Sequence, residues 1–96
     1  MTLITNNFDV SKYLDTPEDI RDYLAIALED GDELALQLAL GDIARAKGMS
    51  KIAAETGLNR ESLYKSLSAK GNPSFATISK VAAALGLKLT FQPVQA

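Results

Sequence analysis

The sequence contains no cysteine and no histidine. Disulfides are thereby excluded, together with the usual soft metal sites, and this usage fits a reducing cytoplasm. Without those side chains, the candidates for catalysis are carboxylates, Lys, Tyr and Ser, and no pair of them stands in a recognisable arrangement. The chain is therefore expected not to be an enzyme and to carry no cofactor and no metal. The six glycines never form GxGxxG or GxxxxGK, so no phosphate cradle is visible. Five of them fall near predicted helix ends or turns, where glycine is ordinary. The start, MTLITNNFDVSKYLD, has neither a basic head nor a long apolar run, and so does not read as a signal peptide. No window approaches the ~18 apolar residues of a membrane span. The expectation is a soluble, cytoplasmic protein.

What is present is one domain's worth of chain, 96 residues, enough to bury roughly 60–65% of its unfolded surface around a single core. The formal charge is −2, but it is unevenly spread. Residues 1–48 hold ten acidic groups and four basic ones; residues 49–96 hold six basic groups (Lys51, Arg60, Lys65, Lys70, Lys80, Lys88) and two acidic ones. An acidic half beside a basic half points to two different partners or to compositional scatter.

The chain divides into four stretches. Residues 1–15 read as an extended arm carrying Phe8, Val10, Tyr13 and Leu14. Residues 16–48 read as an acidic helical hairpin. Thr16-Pro17-Glu18-Asp19 is a helix start: Thr16 can cap, Pro17 suits the first turn, and the acids favour the positive end of the helix. That helix runs to about Asp30, with Ile20, Leu24 and Ala27 on one face and Tyr23 beside them. A second begins near Asp32 or Glu33. Its leucines alternate (Leu34, Leu36, Leu38, Leu40), yet Ala and Gln between them favour a helix, apolar on most sides, over a strand. Gly41 within it is expected to permit close packing.

Residues 49–86 read as a helix-turn-helix region. A third helix starts at Ser50 and ends by Gly57; a fourth starts at Asn59 and runs to about Ser68. A fifth, capped by Ser74 and closed by Gly86, places Phe75, Ile78, Val81, Ala82 and Leu85 at helical spacing. Residues 87–94 alternate Leu87, Leu89 and Phe91 with polar residues and read as a short strand. It would pair with a copy of itself across a dimer axis or with another protein's strand, or else dock as a tail on its own core.

The stretch IAAETGLNRESLYKSLS, residues 52–68, carries the sharpest signal. Ala53 is small where two helices cross, Gly57 suits the turn, and Ile52, Leu58, Leu63 and Leu67 point inward. Ser66 is the least expected member of the set. The outward face of the fourth helix presents Arg60, Glu61, Tyr64 and Lys65, with Lys51, Lys70 and Asn72 flanking it. An ordinary helix pair would explain the inward residues but not this concentration of hydrogen-bonding groups.

The run from Ser50 to Leu87, with Asn72-Pro73-Ser74 leading into the fifth helix, resembles the lambda-repressor/Cro-type helix-turn-helix family. The whole chain is similar to the HigA-like branch of addiction module antidotes. The phrases that carry this are residues 8–32 (FDVSKYLDTPEDIRDYLAIALEDGD), 38–53 (LALGDIARAKGMSKIA) and 57–89 (GLNRESLYKSLSAKGNPSFATISKVAAALGLKL). The resemblance implies an all-α, five-helix domain acting as the antitoxin of a type II toxin–antitoxin pair. Such a protein silences a small basic toxin of the RelE/HigB/ParE-like fold and, as a dimer, binds operator DNA to repress its own operon.

On that reading the fourth helix enters the major groove. Arg60 would contact guanine, worth ~1–3 kcal/mol of discrimination. Glu61 would accept from cytosine or hold Arg60 in place; Tyr64 and Lys65 would meet base edges or phosphate. Ser50, Lys51, Lys70 and Asn72 would position the DNA backbone, while Ser50 and Asn59 could equally serve as helix caps. A dimer, through residues 87–92 and the fifth helix, would read half-sites about 34–36 Å apart. The acidic half would steer in the basic toxin through charges that include Asp19 and Asp30, with Phe8, Tyr13 and Tyr23 as apolar anchors, or would be a solvated acidic face. A stand-alone repressor without a toxin, or an interaction domain that has lost DNA binding, are the competing functions.

Overall fold

A computed structural model describes residues 14–29 and 32–94. Five helices run in order: α1, Pro17–Leu28; α2, Glu33–Lys47; α3, Met49–Thr56; α4, Arg60–Ser66; and α5, Phe75–Ala84. The all-α class therefore holds. The short C-terminal strand does not form: among the described residues there is none, and residues 87–94 are irregular. A strand needs a neighbour to take its backbone hydrogen bonds, and one chain offers none.

Local chemistry sets most helix starts. The Thr16 hydroxyl accepts from Asp19 N (3.1 Å), while the Asp19 carboxylate accepts from Asp15 N and Thr16 N, a reciprocal capping box. Asp32, Asn59 and Ser74 cap α2, α4 and α5 through their side chains. Ser50 does not cap α3. Gly48, at φ +104°, turns the chain one step early, so the helix opens at Met49 with no side-chain cap. Between α3 and α4, Gly57 adopts φ +74°, and both Gly57 N and Leu58 N donate to Ala53 O. Thus α3 and α4 are joined by a tight turn of three residues.

One core joins all five helices. It contains Leu14, Ile20, Leu24, Leu40, Ile43, Met49, Ile52, Leu63, Leu67, Val81 and Leu85. α1 packs on α2, α2 on α3, and α3 on both α4 and α5. Lys47 Nζ donates to Leu14 O at 2.6 Å, tying the end of α2 to the segment before α1. Gly41 lies against the end of α4: an added Cβ would stand 3.0 Å from Leu67 O and 3.4 Å from Leu67 Cβ. The expected close packing is found. Two apolar expectations need correction. Phe75 is 71% exposed and lies off the core, and Leu34 and Leu38 also remain exposed, so α2 is not apolar-buried on most sides. No helix among the described residues is long and apolar enough to cross a membrane.

Candidate nucleic-acid interface

The α3–turn–α4 unit buries Ile52, Ala53, Leu63 and Leu67 and turns the rest of α4 outward. Ser66 is accommodated because its hydroxyl donates to Ser62 O at 2.8 Å, satisfying itself within the helix. Asn59 Oδ1 accepts from Ser62 N at 2.9 Å, so its capping role is realised. Outward, a shallow groove is lined by Asn59, Glu61, Ser62, Tyr64, Lys65 and Ser68. A second groove shares Ser62, Lys65 and Ser68 and runs on past Lys70, Gly71 and Asn72. The structure therefore gathers Asn59, Glu61, Tyr64, Lys65, Lys70 and Asn72 on one continuous exposed face.

Arg60 is exposed at the start of α4, its guanidinium 5.5 Å from the centre of the Tyr64 ring. Glu61 is not its ion-pair partner; the ion pairs among the described residues are Arg21–Asp22 and Arg45–Asp42. The i, i+4 spacing of Arg60 and Tyr64 was a readable signal for this stacking. Ser50 is exposed on the first turn of α3. Lys51 lines a separate cleft with Asp15, Lys47, Glu55 and Gly86, so no shared groove joins it to the α4 face.

The acidic hairpin offers a different surface. Between α1 and α2 an open cleft of about 330 Å³ is lined by Tyr23, Ile26, Ala27, Ala35, Leu38, Ala39 and Asp42. Ile26 is 67% exposed, and Leu28, Leu34 and Leu38 are also exposed along the same two helices. Glu18, Asp22, Glu29, Asp32 and Glu33 are exposed on this hairpin as well. Burial raises the Tyr23 phenol above its ordinary pKa, and the nearby Asp42 carboxylate pushes it the same way. Asp19 is committed to the α1 cap. Phe8, Tyr13 and Asp30 lie outside the described residues. Of the residues lining this cleft, the sequence reading named Tyr23 as a candidate, and neither Ile26 nor Leu38.

These features define a small all-helical protein with a polar helix face at one side and, between α1 and α2, a mostly apolar cleft with Asp42 in its lining. The chain belongs to the family described as "probable addiction module antidote protein", whose model matches residues 4–93. It is also similar to an uncharacterised protein of Haemophilus influenzae, 52% identical over 93 residues, which cover 96% of this chain and 95% of that protein. No solved structure matches it.

Proposed function

We propose that this chain is a cytoplasmic antitoxin that neutralises a small basic toxin and, as a dimer, binds operator DNA to repress its own operon. It works by binding and not by catalysis. The observation that carries the reading is membership of the antidote family along residues 4–93, since an antidote presupposes a toxin.

The α4 face supports the DNA half of the reading. Capped by Asn59 and flanked by Lys70 and Asn72, it has the shape and donors of a helix that reads a major groove. Arg60, Tyr64 and Lys65 would meet base edges, and Lys70 and Asn72 the phosphates. The cleft between α1 and α2 supports the toxin half. A toxin that acts on RNA is basic, so acids on this hairpin would steer it, while Tyr23, Ile26 and Leu38 would receive an apolar side chain. We assign the dimer contact to the C-terminal tail, where Phe91 and Val94 are over nine-tenths exposed and apolar.

The test has two arms. Gel shifts on the DNA upstream of the gene compare wild type with Arg60→Ala plus Lys65→Ala, and wild type alone should bind. Equal binding by both would overturn the role of α4. Co-purification with the protein encoded by the neighbouring reading frame should succeed for wild type and fail for Ile26→Asp plus Leu38→Asp. A neighbour that never co-purifies would favour a stand-alone repressor.

A further inference from the structure

Gln37 lies in the second turn of α2, in the acidic half, yet its hydrogen bonds go to the basic half. Its Nε2 donates to Ser68 O at 2.6 Å and to Gly71 O at 3.0 Å, 31 and 34 residues away. A primary amide has two N–H groups, so both bonds can be made together. Ser68 O also accepts from Gly71 N at 2.9 Å, closing the loop that leaves α4.

Gly71 itself is pressed against the last turn of α4. A Cβ there would stand 2.1 Å from Lys65 O and 2.2 Å from Ser66 O, both backbone atoms that cannot swing aside. The loop is thus held from two sides: glycine allows the approach to α4, and Gln37 grips the two carbonyls. Lys70 stands between the gripped residues, and Asn72 follows directly. Both side chains are exposed on the groove continuous with α4.

We infer that Gln37 is a positioning residue for the nucleic-acid face, fixing the 68–72 loop so that Lys70 and Asn72 meet the DNA backbone while α4 occupies the groove. This rests on the DNA-binding reading above. Gln37 touches no DNA in this account; it removes the freedom that Lys70 would otherwise lose on binding. The hairpin and the DNA face are then not independent, since one side chain of the former sets the geometry of the latter.

The test uses Gln37→Met, which keeps the length and loses both donors, and Gln37→Glu, which keeps the shape but opposes the two carbonyls with a carboxylate. Amide exchange by NMR should accelerate at Lys70 and Gly71 and stay unchanged at Leu63. Operator affinity should fall roughly tenfold, the scale of one backbone residue left unordered. The slope of log affinity against log salt should fall by about one, the signature of one lost phosphate contact. Discrimination between operator and scrambled DNA should persist, because the bases are read by α4. In a Lys70→Ala background, Gln37→Met should have little further effect on affinity.

A purely structural Gln37 would lower the melting temperature without changing the salt slope, and that result overturns the proposal. So does a full additive loss on top of Lys70→Ala. If wild type itself shows no preference for its operator, the DNA-binding reading falls and the proposal falls with it. If wild type binds and Gln37→Met matches it, the proposal alone is wrong.

Discussion

The Arg60 guanidinium lies over the Tyr64 ring, 5.5 Å from its centre, one helical turn along α4. The ring holds the cation on the outward side of the helix, with no ion pair among the described residues, so its charge is open to a partner there. An exposed contact of this kind is worth about 0.5–1 kcal/mol. Tyr64→Leu should therefore lower stability by no more than that, yet weaken operator binding. Tyr64→Phe, which keeps the ring face, should leave stability unchanged. Thermal melts with paired gel shifts check both variants.

Asn59 offers a way to separate folding from the proposed DNA binding. Its oxygen accepts from Ser62 N, a bond an aspartate can also make. Asn59→Ala should destabilise by about 1 kcal/mol. Asn59→Asp should keep the cap and favour the positive end of the helix, while its new charge repels phosphate. Urea unfolding should show little or no loss for Asn59→Asp, and gel shifts should show weakened binding. Equal operator affinity for wild type and Asn59→Asp would remove Asn59 from the interface.

Two glycines should respond differently to one added methyl. At Gly57 no atom lies within 4 Å of an added Cβ, so Gly57→Ala meets only the strain of φ +74°, about 1–2 kcal/mol. Gly71→Ala meets backbone oxygens and must move the loop. Denaturant midpoints should fall for the first with the DNA face intact. For the second, chemical shifts of residues 65–72 should change and operator binding should drop.

The raised Tyr23 pKa gives a pH dependence with a defined sign. Burial and Asp42 disfavour the phenolate in the folded state more than in the unfolded chain. Its contribution is fully present below the ordinary tyrosine value, about 10, and is lost as the pH rises through the folded-state value. Wild type should lose stability above about pH 10 more steeply than Tyr23→Phe. Urea unfolding at several alkaline pH values measures the difference, and parallel curves would refute the assignment.

The apolar tail predicts an oligomeric change. Phe91 and Val94 are left over nine-tenths exposed among the described residues. Phe91→Asp plus Val94→Asp should shift sedimentation toward the monomer mass and reduce operator affinity, since one α4 makes too few contacts for specific binding. Sedimentation identical to wild type would refute a dimer contact through the tail.

Much of this was legible because helix starts are local. Thr16, Asn59 and Ser74 lie within three residues of the amides they cap, so sequence order alone found them. The inward set Ile52, Leu63 and Leu67 followed from spacing. What could not be read depends on neighbours distant in sequence. Phe75 has the spacing of a core residue, but its burial depends on which side another helix covers. The leucine run of α2 has no single apolar face, so nothing local singled out Leu34 and Leu38 as the exposed members. Ser50 looked like a cap because Ser is a good one, and the backbone turn at Gly48 overrode it. Gln37 reads in the sequence only as a helix former between leucines, since its partners lie more than thirty residues ahead. Dividing the chain into halves by charge therefore left the contact between them unread.

At the seam between α2 and α4, a Cβ at position 41 would stand 3.0 Å from Leu67 O, so an alanine there needs a shift of a few tenths of an ångström. That places a condition on exchange between relatives. A hairpin grafted from another member of the family onto this α3–α5 unit would have to meet Leu67 at the same close distance. It would seat without disturbing α4 only where the donor also carries glycine at that position. A donor with alanine there would need Leu67 to give by a few tenths of an ångström, so the exchange of hairpins is constrained by a single missing methyl group.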